Sequence, residues 1–153
     1  MLCYNYSVYK ANKDVCRYYY KFIVYRKEAW GYKMEGIREQ KLEALKTAKD
    51  YLDRLIPAME EVISEIKGEM KEDTVDFLLQ IVDGFNFMIE TYNVTRDIVN
   101  DPDPLINDDI LEEAVKRLSD GFSKKDYVST ADELSNDIVP FLKVFKEAAA
   151  KAA

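Results

Sequence analysis

The sequence predicts an all-α fold, an antiparallel bundle of four main helices. Three observations carry this. Apolar residues recur at steps of three and four from residue 45 onward, the period of one helix face. The stretch Thr74 to Val99 carries two adjacent apolar rows, too wide for a surface helix with one buried edge. The breaks between periodic stretches are short and hold Gly68, Pro102, Pro104 and Ser123 to Asp126, which are turn and stop signals.

The 153 residues suit one helical domain, residues 34–150, preceded by a compositionally distinct segment, residues 1–33. That segment holds eight of the eleven tyrosines, both cysteines and the only tryptophan, Trp30. It carries seven Lys or Arg against Asp14 and Glu28, whereas the whole chain has a net charge of −7. Residues 17–26 are aromatic and β-branched and favour a strand, but a lone strand has no partner in the chain. Three readings stand for residues 1–33: packed on the bundle, mobile, or a non-native leader. For the leader, Met34 is a plausible natural start, because the composition breaks just before it and the helical pattern begins just after it.

The first helix is expected over about 36–67. Leu45, Ala48, Leu52, Leu55, Met59, Val62 and Ile66 form its seam. Pro57 interrupts the backbone ladder but not the apolar spacing, which predicts one kinked helix rather than two. Gly68 ends it, and Asp73 or Thr74 caps the next.

The second helix, about 73–100, organises the rest. Val75, Leu78, Val82, Phe85, Ile89, Tyr92 and Val99 form one row, with Phe77, Ile81, Met88 and Ile98 beside it. Asp76, Asp83, Glu90 and Asp97 recur every seven residues and mark its wet side. Gly84 costs a helix interior about 1 kcal/mol relative to Ala. Its place just before Phe85 and Phe87 predicts the close approach of another helix, with a hinge as the alternative. The surplus apolar width predicts an interaction face of Phe77, Ile81, Gly84, Phe85 and Met88, and with it a homodimer.

After a proline loop, Asp108 or Asp109 is expected to cap a third helix, 109–123, with Leu111, Val115, Leu118 and Phe122 inward. Asp126 caps a fourth, 126–150, with Tyr127, Ala131, Leu134, Ile138, Phe141 and Phe145 inward and Pro140 within that face. The tail from Lys146 is a strong helix former and reads like a designed helical linker.

The composition excludes much chemistry. There is no histidine, which removes Ser-His and Cys-His nucleophile pairs and a Glu-x-x-His di-iron site. Two cysteines without histidine make a poor zinc site. The acidic balance argues against nucleic-acid and anionic-membrane partners. No apolar run approaches a membrane span, and the start lacks a signal-peptide pattern, so the expected compartment is the cytoplasm. One metal candidate remains. Asp101, Asp103, Asp109 and Glu112 fall at positions 1, 3, 9 and 12 of a calcium loop, but Leu105 and Ile106 stand where an oxygen ligand and a glycine belong. No cofactor is expected. The acidic heptad row spaces its carboxylates about 10 Å apart, too far to share one ion.

Leu118, Phe122 and Ala131 fall at the spacing of a tetratricopeptide-type hairpin, in a single copy that supports no solenoid. The run from Lys125 to Leu142, Lys-Asp-Tyr-Val-Ser-Thr-Ala-Asp-Glu-Leu-Ser-Asn-Asp-Ile-Val-Pro-Phe-Leu, resembles the C-terminal hairpin of uncharacterised small helical proteins of Gram-positive bacteria. Ser129, Thr130, Glu133, Ser135 and Asn136 depart from the usual pattern. The resemblance implies a bacterial helical protein and carries over no functional residues. The function expected from all this is a non-enzymatic protein-interaction module, chaperone- or adaptor-like. The alternative is a carboxylate-based metal-binding or enzymatic bundle.

Overall fold

Helices begin and end close to the expected positions in the computed structural model, which describes residues 38–152. The expectations for residues 1–33 and for a start at Met34 lie outside the described residues. Helix α1 spans Arg38–Lys67, α2 Thr74–Val99, α3 Asp108–Ser123, α4 Tyr127–Glu133 and α5 Val139–Ala152. A π-helical turn, Leu134–Ile138, joins α4 to α5, so these two make the single fourth helix of the bundle. Among the described residues there is no strand.

Helix α1 lies between α2 and the α4–α5 helix, antiparallel to both. Its seven seam residues are all buried, with Leu45, Leu52, Met59 and Val62 fully enclosed. Pro57 does not divide it. The proline lies on the exposed face, as does Asp53, whose carbonyl it deprives of a donor, so water can satisfy that oxygen. Ion pairs set the register against the fourth helix: Asp53 with Lys146, Glu60 with Lys143 at 2.8 Å and Lys67 with Asp132 at 2.7 Å. Each is exposed and adds little stability, but the three together disfavour a slipped pairing.

The turn from α1 into α2 is held by Thr74, which is fully buried. Its hydroxyl accepts from Lys71 N at 2.8 Å and donates to Glu65 Oε2 at 2.8 Å. The Lys71 ammonium and this hydroxyl together hold the Glu65 carboxyl below its ordinary value. Asp73 occupies the cap position without a side-chain bond, so the helix start rests on Thr74 instead.

The start of α3 differs from expectation. Its cap is Asn107, whose side chain accepts from Asp109 N at 3.0 Å and Ile110 N at 3.3 Å. Asp108 is diverted into α2: Tyr92 Oη donates to it at 2.5 Å, and Arg96 lies 3.5 Å away. Asp126 caps α4 as expected, accepting from Ser129 N at 3.0 Å.

The π turn follows from Pro140. A proline has no N–H, and its ring collides with the carbonyl four residues back. Widening the preceding turn moves that carbonyl away; Val139 N–H bonds back to Leu134 O, five residues earlier. Leu134 and Ile138 stay fully buried across the widened turn, so the apolar face is not interrupted.

Candidate functional site

The residues expected to form an interaction face lie inside the bundle. Ile81, Phe85 and Met88 are at most 3% exposed, Gly84 is buried, and Phe77 is half-buried against the core. The correction has a plain cause. Helix α1 seats directly on Gly84, where an added Cβ would stand 2.6 Å from Tyr51 Oη and 2.9 Å from Leu55 Cδ1. The surplus apolar width of α2 is consumed within one chain.

What α2 leaves open is a narrow stripe. Asp76, Leu79, Asp83, Phe87, Val94 and Asp97 follow one another at steps of three, four and seven and are all exposed. Leu79 is 44% exposed, Phe87 48% and Val94 48%. Apolar side chains are therefore interleaved with carboxylates along about 30 Å of helix. Phe87 is braced from α1, its ring edge-on to Tyr51 at 5.8 Å. Lys41 Nζ holds Asp97 at 2.8 Å, while Asp76 and Asp83 make no ion pair among the described residues. Beside Phe87, Asn86 is buried and its Nδ2 has no hydrogen-bond partner among the described residues. A buried unpaired amide is unfavourable by about 1–3 kcal/mol, so its retention in an apolar helix is unusual.

The calcium candidates are not brought together. Asp101, Asp103 and Asp109 are exposed and Glu112 is half-buried on α3. No group of three or more Asp, Glu, Cys or His among the described residues could hold a metal. The loop is organised by Asn100, whose side chain accepts from Ile106 N at 3.1 Å and donates to Tyr92 Oη at 3.2 Å. Asp101 and Asp103 are exposed, and the bonds that order the loop come from this amide.

Tyr92 is the polar centre of the bundle. It is fully buried, edge-on to Phe141 and Phe145, with its hydroxyl shared between Asp108 and Asn100. Burial pushes the phenol up from its ordinary value of 10.0, and the Asp108 carboxylate adds to the shift. A raised folded value means that stability is fully present below pH 10.0 and is lost as pH rises beyond it, because the unfolded chain ionises first. Alkaline unfolding is therefore expected above pH 10, with one of the eleven tyrosines ionising only as the helix signal falls. Tyr92→Phe should lower stability at neutral pH by about 1–2 kcal/mol and show a shallower alkaline limb. Absorbance and circular dichroism followed together check both.

A shallow open groove of about 380 Å³ lies where the π turn meets α1, lined by Glu60, Ile63, Ser135, Val139, Pro140 and Lys143. Its charged pair is already matched at 2.8 Å, and its one hydroxyl, Ser135, has no histidine in the chain to activate it. The groove therefore offers no Ser–His pair.

Sequence reasoning found the acidic row of the stripe and missed its apolar members. The signal was present: Leu79, Phe87 and Val94 sit three or four residues from the acidic positions, off both buried rows. No described helix is long and apolar enough to cross a membrane. No curated protein and no solved structure matches the chain. A match to the domain of unknown function DUF8042 runs over residues 43–148, from the early part of α1 through most of α5, and the chain belongs to that family.

Proposed function

We propose that this chain is a non-enzymatic helical interaction module, adaptor- or chaperone-like, whose open α2 stripe receives a basic, apolar-rich segment of a protein. The observation that carries the reading is the interleaving of exposed Leu79, Phe87 and Val94 with Asp76 and Asp83. Amphipathic segments are read by apolar anchors at helical spacing, and the flanking charge selects the sign of the partner. The cytoplasmic, bacterial setting expected from the sequence belongs to the same proposal.

The homodimer expected from the sequence is the competing occupant. A two-fold axis through the stripe would set one acidic row against another, which opposes association at low salt. A basic segment meets no such opposition.

The test titrates the full chain with an amphipathic Lys/Leu/Phe peptide and with the same peptide carrying Glu for Lys. The basic peptide is expected to bind with an affinity that falls as salt rises and to lose binding with Asp83→Lys/Phe87→Ser. Equal behaviour of both peptides, or binding that the variant leaves intact, overturns the reading. So does stoichiometric metal in the purified protein with a melting shift on adding calcium, which would favour the carboxylate-based alternative.

A further inference from the structure

We propose that the occupant of the α2 stripe is itself an α-helix, one that presents an apolar residue and a Lys or Arg in alternation, at steps of three and four, over about three heptads. The inference rests on the reading of the stripe as a receptor for basic apolar segments, and it names the form and the repeat of the segment.

Three observations converge. The first is spacing. Down the open side of α2 the seam runs Asp76, Gln80, Asp83, Phe87, Glu90, Val94 and Asp97, at steps of four and three in strict alternation. All are exposed except Glu90, which is half-buried. The acids take every second place. Gln80, Phe87 and Val94 take the others, with Leu79 flanking Gln80. Each set therefore recurs every seven residues, about 10 Å along the axis. A partner helix repeats its own face at the same interval and meets each layer in turn. An extended segment repeats its face about every 6.6–6.8 Å and falls out of step within one layer. The second observation is charge. Asp97 already has its cation: Lys41, from the antiparallel helix α1, binds both of its carboxylate oxygens at 2.8 and 2.9 Å. Asp76 and Asp83 have no ion pair among the described residues. A Lys or Arg facing them from a second helix repeats the Lys41 contact, its stem lying over the apolar layer while its head reaches the carboxylate. The third is the anchor. Phe87 stands in the middle of the seam, 48% exposed and braced edge-on by Tyr51 at 5.8 Å. A ring held before the partner arrives costs less to order on binding.

A second copy of the chain does not supply this match. Laid parallel, its acids face acids; laid antiparallel, its acids face Phe87 and Val94, and in neither case does its seam offer a cation to the row. An all-apolar helix leaves Asp76 and Asp83 desolvated and unpaired. The stripe therefore selects on two properties together, a helical repeat and a positive charge at every second seam position.

The experiment titrates the full chain with two synthetic peptides of identical Lys, Leu and Ala composition, each about three heptads long. One alternates Leu and Lys at steps of three and four. The other alternates them at every second residue. Binding is read by calorimetry and helix formation by difference circular dichroism. The heptad peptide is expected to bind at least about tenfold more tightly and to gain helix on binding. Asp76→Lys/Asp83→Lys should abolish that binding and favour the heptad peptide carrying Glu for Lys. Asp120→Lys, the same charge change on exposed α3, should alter neither. Asp76 and Asp83 are exposed, so the swap leaves the fold in place, which an unchanged helix signal of the free variant checks. Equal affinity for the two patterns, or binding of the heptad peptide without a gain in helix, overturns the proposal. So does a charge-swapped variant that keeps its preference for the Lys peptide. Equal affinity that Asp83→Lys/Phe87→Ser abolishes leaves the interaction reading standing with an extended occupant, whereas no binding of either peptide overturns both. Light scattering covers the second-copy case: a dimer that Asp83→Lys/Phe87→Ser dissociates places a second chain on the stripe and overturns the helical partner.

Discussion

Phe145→Ala is expected to be among the most damaging single substitutions in the bundle, lowering stability by about 3–5 kcal/mol. The side chain is fully buried on α5. Its ring lies edge-on to Tyr92 with centroids 5.6 Å apart and stacked on Phe141 at 6.0 Å and 9°. Truncation removes the transfer free energy of the ring and leaves a cavity between α1, α2 and α5. It also strips one wall from the Tyr92 phenol, which holds Asp108 and, through Asn100, the loop before α3. The loss should therefore spread: hydrogen exchange at the start of α3 should speed up along with that of α5. Total stabilities of small domains run to about 5–15 kcal/mol, so the variant should sit near its unfolding midpoint by physiological temperature. Chemical denaturation checks the magnitude. A change below about 1 kcal/mol would mean that the aromatic cluster is not tightly packed.

Period alone made the helices legible. All seven seam residues of α1 are buried, and in the main row of α2 only Val75 is not. This works because a bundle buries one face per helix, and burial is what apolar spacing records. The helix starts were less legible, and α3 shows why. Asp108 and Asp109 look like caps by residue type, yet Asn107 holds the position because the Asp108 carboxylate is drawn to the Tyr92 hydroxyl sixteen residues earlier. Local preference decides a cap only when no tertiary partner competes for the side chain. The π turn was hidden for a related reason. Pro140 announces a disturbed backbone ladder, but a kink and a widened turn answer the same missing N–H. Which one forms depends on keeping Leu134 and Ile138 in the core.

The candidate site was legible only in outline. The heptad of acids fixed which side of α2 faces water. The width of the apolar rows suggested a surplus for a partner, and that inference failed at Gly84, Phe85 and Met88. Sequence width measures how much surface must be covered, not whether the cover comes from the same chain. Helix α1 supplies it here, and only the residues one step off the buried rows, Leu79, Phe87 and Val94, remain for another occupant.

Gly84 is where that cover depends on a single hydrogen atom. Gly84→Val is expected to destabilise the protein by about 2–3 kcal/mol, the upper part of the range for overpacked cores. The Cβ alone would meet Tyr51 Oη at 2.6 Å and Leu55 Cδ1 at 2.9 Å, both inside the closest approach that real Cβ atoms make. Tyr51 is half-buried and can swing away, at the expense of its edge contact with Phe87. Leu55 is 5% exposed and lies within the core. Valine adds two methyl groups to that contact, so α1 must lift from α2. Gly84→Ala sets a milder collision against a helix-propensity gain of about 1 kcal/mol, and a small net loss is expected. Tyr51→Phe removes the nearest colliding atom. The Tyr51→Phe/Gly84→Ala pair should therefore be more stable than the sum of its single changes by about 1 kcal/mol, a coupling read directly from a double-mutant cycle. Additive behaviour, or Gly84→Ala alone raising stability by the full propensity gain, would show that α1 does not sit on the glycine.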